Sequence, residues 1–181
     1  MVEPIRDVDK IKELKKEFMG QNYRNYLLFV VGINTGLRIS DMLKLKVEDV
    51  KNKTHIYISE GKTGKSKKFF INLNLREDID MYIKNMKEEE HLFQSRNGNN
   101  KPLSRSQVYR ILNKAADNID LDIENFGCHS LRKTFGYHHY QKYKDVALLQ
   151  DIFNHSSPSV TLVYIGINQD VKDKSLQDFY L

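Results

Sequence analysis

The sequence predicts an α+β fold: a mostly helical single domain carrying one small antiparallel β-sheet, a hairpin. Apolar residues recur at helical spacing through most of the 181 residues, and only two runs are β-rich. Those two runs flank a segment rich in Gly and Lys, the composition of a hairpin tip. The length suits one domain with a sizeable core, or at most two small ones.

The first helix is expected over residues 8–18, with Ile11, Leu14 and Phe18 on one face and Gly20 as its stop. Residues 23–33 are apolar nearly all round, which marks the central buried helix, closed by Gly36. A further helix begins near Ile39 with Leu43 facing the core. Strands follow over residues 54–59 and 69–73, then a mixed-charge helix over residues 76–90 with a stripe of Ile79, Tyr82, Ile83 and Met86. The polar loop 95–101 is rich in Asn and Gly. Ser104 then starts a basic helix through Ala116, with Val108, Ile111 and Leu112 inward. His129 and Arg132 share one face of the next helix by their i, i+3 spacing. Another helix spans residues 146–153. Ser157-Pro158 reads as N-cap and first position of a short helix that Gly166 terminates. Asp170 is placed to cap a last amphipathic helix bearing Val171, Leu176 and Phe179.

Charge and composition bound the function. Lys and Arg total 29 against 24 Asp and Glu, a net charge of +5, with an isoelectric point near 9.1. That balance is compatible with a nucleic-acid partner without demonstrating one. Residues 61–68 hold four lysines and no acid, whereas residues 77–90 hold six acids, which suggests one basic working face and one solvated acidic face. The lone Cys128 excludes an intramolecular disulfide and a cysteine-rich zinc site. No signal-peptide pattern is present and the longest apolar run, residues 27–31, is too short to span a bilayer. The expectation is a cytoplasmic protein with no membrane association.

Taken singly, the polar residues have ordinary readings. A Lys-rich hairpin is usually a solvated turn, an H-x-x-R pair is usually a surface pair, and a tyrosine at helical spacing is usually core. The set is harder to dismiss. Arg38 emerges from a tight turn between two anchored helices, which suits a guanidinium fork that grips a phosphate. Asp41 either orients that arginine or simply favours the first turn of its helix. The hairpin tip is no Walker A loop, because it lacks that spacing and joins two strands. Arg132 supplies a second fork and His129 an acid–base group near neutrality. His138 and His139 have no matching acid or Cys cluster and read as structural. His155 and Tyr164 complete an inventory suited to metal-free phosphoryl transfer through a tyrosine. No metal site and no cofactor are expected.

In this ordered set the chain resembles the C-terminal catalytic domain of the tyrosine recombinase (phage integrase) family. The matching stretches are Thr35-Gly36-Leu37-Arg38-Ile39-Ser40-Asp41, Gly61-Lys62-Thr63-Gly64-Lys65, His129-Ser130-Leu131-Arg132-Lys133-Thr134, then His155 and Tyr164. The resemblance implies a DNA breaking–rejoining fold and assigns roles to matching positions. Tyr164 would attack the scissile phosphate, leaving a 3′-phosphotyrosyl link and a free 5′-hydroxyl. Arg38, Arg132 and His155 would hold the nonbridging oxygens, His129 would assist at the tyrosine, and Asp41 would orient the arginines. Lys62 would protonate the departing oxygen, with Lys65 as its rival. Lys65, Lys67, Lys68, Arg105, Arg110 and Lys133 are expected to meet the DNA.

Two departures from the family pattern stand out. Asn154 replaces the usual glycine before the second histidine, a residue that also tolerates a left-handed helix stop. Residues 1–181 are expected to form the catalytic domain alone, without the family's N-terminal core-binding domain. The resemblance implies double-stranded DNA as partner and a homo-oligomer, a tetramer, on DNA. Two alternatives stay open: a non-catalytic DNA-binding accessory module of the same fold, and type IB topoisomerase-like nicking and religation.

Overall fold

The computed structural model describes residues 2–59, 66–123, 126–167, 172, 175–177 and 179–180. Helix α1 (Val8–Gln21) starts on Asp7, whose carboxylate accepts the Asp9 amide, and buries Leu14 and Phe18. It runs past Gly20 to Gln21, because the exposed glycine is tolerated and the break comes at the extended Asn22. Asn22 in turn caps α2 (Tyr23–Thr35) by accepting the Asn25 amide. Leu27, Leu28, Phe29, Val30 and Val31 are all buried, and α2 packs against α1 and against the later helices Leu73–Ile83 and Cys128–Tyr143 as the central rod. A Cβ on Gly32 would lie 2.7 Å from Leu131 Cδ1, so the glycine lets α2 come close to the helix Cys128–Tyr143.

After the one-turn helix α3 (Ile39–Met42) and a 3-10 turn (Val47–Asp49), strands β1 (His55–Ser59) and β2 (Ser66–Phe70) pair antiparallel, from His55 opposite Phe70 to Ser59 opposite Ser66. Composition alone places the second strand three residues further on. Asn72 decides the matter: its side chain accepts the Leu75 amide and starts α4 (Leu73–Ile83) where sequence composition still reads as strand. The same helix ends at Ile83 rather than near 90. Residues beyond it turn back, with Val47 and Glu48 amides donating to the Glu90 and Glu88 carbonyls.

Helix α5 (Arg105–Asn118) begins on a capping box of Ser104 and Gln107. Helix α6 (Cys128–Tyr143) is followed by α7 (Val146–Phe153) and α8 (Pro158–Tyr164). These last two form a separate small core of Leu149, Phe153, Ile165 and Ile167 against Phe135 of α6. Gly136 makes that docking possible, since a Cβ there would sit 2.6 Å from Ile165 Cγ2 and 2.7 Å from Phe153 Cε2. Asp170 and Val171, expected in the final helix, lie outside the described residues; Leu176 and Phe179 are exposed. Among the described residues no helix is long and apolar enough to cross a membrane.

Candidate active site

Two helix stops and one helix start aim side chains at one place. Gly36 ends α2 in the left-handed region at φ 66°, and a Cβ there would run into the Phe135 ring. Leu37 and Ile39 then anchor the turn by burial, and Arg38 stands exposed between them in extended conformation. Asn154 ends α7 at φ 55°, ψ 47°, the left-handed stop expected of it. Ser157 caps α8 by accepting the Val160 amide, with Pro158 at its first position, so Tyr164 arrives at the end of two turns of helix.

The result is a pocket of about 270 Å³ lined by Arg38, Ile39, Ser40, Arg105, Cys128, His129, Arg132, His155 and Tyr164. Arg132 is its buried floor. One terminal nitrogen donates to the Gly36 carbonyl, the other donates to the Phe153 carbonyl at 2.9 Å, and the guanidinium carbon sits 4.1 Å from the Phe153 ring centroid. The fork therefore ties α6 to both the α2–α3 turn and the end of α7. Burial pulls its pKa down to about 10, with Tyr164 opposing and Arg38 adding to the fall, so the group stays cationic at neutral pH.

Tyr164 lines the same pocket as Arg132, and its ring meets His155 edge-on at 4.9 Å and Phe153 at 5.5 Å. Burial holds its phenol above the usual value, against the pull of Arg132 and Arg38. His155 is held below the usual imidazole value by burial, then by Arg132, Arg38 and Lys67. Its Nδ1 lies 3.0 Å from Oγ1 of Thr161, a residue with no exposed surface. His129, one turn before Arg132 on α6, has Nε2 2.8 Å from an Arg105 nitrogen. Since guanidinium only donates, His129 is neutral there with its proton on Nδ1. Local desolvation, then the cations Arg105, Lys133 and Arg132, depress its pKa.

The structure thus brings Arg38, His129, Arg132, His155 and Tyr164 together, and adds Arg105, which was expected only at the DNA surface. Lys133 is less exposed than expected. It is 6% exposed, its ammonium 5.0 Å from the Tyr164 ring centroid, and burial lowers its pKa. One step along α6 from Arg132, it packs against the Tyr164 ring of α8 instead of standing exposed as expected of a DNA-facing lysine. Lys67 reaches back to the Asp151 carbonyl at 2.7 Å, tying the hairpin to the C-terminal end of α7. Lys68 and Arg110 are exposed, and Asp41 is half-buried in the first turn of α3. Lys62 and Lys65 lie outside the described residues. Sequence reasoning missed Thr161, Phe153 and the Gly36 carbonyl. Of these only Thr161 left a signal, a threonine three residues before Tyr164 on the same short helix.

Residues 6–170 match the model of the phage integrase family. The chain belongs to the phage integrase family. It is 52% identical over 170 residues to a probable integrase/recombinase, YoeC, of Bacillus subtilis (strain 168), covering 94% of this chain and 92% of that one. With the family comes the enzyme class, a tyrosine-type site-specific DNA recombinase. The fold agrees with the crystal structure of XerA recombinase, with a TM-score of 0.78 at 20% identity over 99% of this chain and 66% of that one. It agrees also with XerH site-specific recombinase bound to palindromic difH substrate in a post-cleavage complex, with a TM-score of 0.74 at 21% identity over 95% of this chain and 51% of that one. The integrase chain spans about half the length of several further tyrosine recombinases that it matches.

Proposed function

We propose that this chain is the catalytic domain of a site-specific DNA recombinase in which Tyr164 cleaves and rejoins strands. The observation that carries the reading is the docking of Tyr164 in the same pocket as Arg38, Arg132, His129 and His155, all supplied by its own chain. The phenolic oxygen forms a bond to phosphorus and the bond to the 5′-oxygen breaks, giving a 3′-phosphotyrosine and a 5′-hydroxyl. The phenolic proton passes to His129, whose Nε2 must first lose its Arg105 partner. Arg38 and Arg132 neutralise the nonbridging oxygens as charge builds in the transition state. The proton for the 5′-oxygen is assigned to Lys62, with Lys65 as rival, on the hairpin that Lys67 holds against α7. Because the phosphotyrosine keeps the bond energy, the reverse attack by a 5′-hydroxyl restores the backbone without ATP or a metal ion.

The partner is double-stranded DNA, bound along the basic face that includes Lys68, Arg105 and Arg110, and strand exchange assembles a tetramer on it in the cytoplasm. Contacts from these cations to the phosphates make the binding strongly salt-dependent. The test is covalent trapping on nicked suicide duplexes drawn from a pool of candidate sites. An SDS-resistant protein–DNA band that disappears in Tyr164→Phe supports the reading. A band that persists in Tyr164→Phe overturns the assignment of the nucleophile.

A further inference from the structure

His155 has two ring nitrogens, and the structure engages one of them. Nδ1 is 3.0 Å from Thr161 Oγ1, and the same hydroxyl lies 3.3 Å from the Ser157 carbonyl. A threonine hydroxyl has one proton and cannot donate to both. Were it given to Ser157, Nδ1 would carry the imidazole hydrogen, and a neutral ring would offer the pocket only a lone pair. Given to Nδ1, it leaves the hydrogen on Nε2. The Ser157 carbonyl already accepts the Thr161 amide at 3.3 Å, so it has a partner without the hydroxyl. The shorter contact is the one to His155.

The chemistry of the pocket decides between the two arrangements. A nonbridging phosphate oxygen only accepts hydrogen bonds, so a ring that helps to hold it must present N–H. Arg38 and Arg132 share the pocket, and with Lys67 nearby they oppose a second proton on the ring. We propose that Thr161 is a positioning residue that sets the His155 tautomer, its buried hydroxyl donating to Nδ1 so that the neutral ring turns Nε2–H toward a phosphate oxygen. The proposal rests on the reading of the pocket as a phosphodiester site. It explains why a hydroxyl is kept with no exposed surface at a position on α8 where valine would fill the same volume. The short helix α8 then both carries the tyrosine and fixes the histidine beside it.

The test is long-range ¹H–¹⁵N correlation on the full chain labelled at histidine, at a pH where the ring is neutral, with the His155 signals assigned from His155→Gln. The expected result is an Nε2–H tautomer in the wild type and in Thr161→Ser, and a shift toward Nδ1–H in Thr161→Val. Single-turnover cleavage on the suicide duplex should fall about tenfold in Thr161→Val, the loss of one neutral hydrogen bond, and recover in Thr161→Ser. An Nδ1–H tautomer in the wild type overturns the proposal, as does a valine variant with unchanged tautomer and rate. Should the valine variant not fold, the wild-type and serine spectra still decide. An Nε2–H tautomer in a wild type that forms no adduct would leave Thr161's role standing and count against the phosphodiester reading instead.

Discussion

Gly136→Ala separates two effects that usually travel together. In an isolated helix interior the change is favourable by about 1 kcal/mol, because alanine loses less backbone entropy than glycine. On α6 the new Cβ would meet Ile165 Cγ2 at 2.6 Å and two carbons of the Phe153 ring at 2.7 and 2.8 Å. Both partners are fully buried, and the Phe153 ring is held under the Arg132 guanidinium, so neither can swing aside. Overpacking of this kind costs about 1–3 kcal/mol, and three contacts below 3 Å put it at the upper end. The net expectation is a loss of about 1–2 kcal/mol, or a fall of roughly 2–8 °C in melting temperature. Gly20→Ala is the internal control. It lies exposed in α1 with nothing within 4 Å of its added Cβ, so it should stabilise by up to about 1 kcal/mol. Urea and thermal melts of both variants, with single-turnover cleavage alongside, make the comparison. Because the strain falls on α7 and α8, cleavage by Gly136→Ala should drop further than its folded fraction does. A Gly136→Ala chain as stable and as active as the wild type would refute the packing argument.

Arg105→Ala removes the cation on His129 Nε2, so the His129 pKa should rise toward its ordinary value; an unchanged NMR titration would show that the contact is not formed in solution. Ser157→Ala deletes the cap of α8 and should cost about 1 kcal/mol, seen as a lower urea midpoint with a slower cleavage step. The folded pKa values of His129, His139 and His155 are all depressed, so below about pH 6.5 the unfolded chain takes up protons that the folded one resists. Stability should therefore be full well above that value and fall as the pH drops through it toward the lower folded values, and a urea midpoint that stays flat or rises on acidification through about pH 6.5 would contradict it. Arg132→Lys keeps a charge but cannot serve the Gly36 and Phe153 carbonyls with one planar fork, and should lower stability by about 1–3 kcal/mol while abolishing adduct formation.

Much of this protein is determined by sequence alone, and the reasons are local. The left-handed stops at Gly36 and Asn154, the Ser157-Pro158 start of α8 and the all-round apolar character of α2 depend on neighbours within a few residues. The i, i+3 pairing of His129 with Arg132 follows from helix geometry in the same way. Where sequence and structure part, two local signals compete. Residues 69–73 are apolar enough for a strand, but the strand stops at Phe70, and the Asn72 side chain closes onto the Leu75 amide and starts a helix at Leu73. Tertiary structure alone decided which polar groups face inward. Lys133 and Arg132 are adjacent and cationic, yet one packs on a phenol ring and the other serves two carbonyls 96 and 21 residues away in sequence. Arg105 was legible as a basic residue on a helix but not as the partner of His129, because α5 and α6 must pack before the two can meet. Local sequence governs what a backbone segment does with itself. Which donor finds which acceptor depends on contacts that form only once α2, α6 and α7 are packed together, and that is where this site is made.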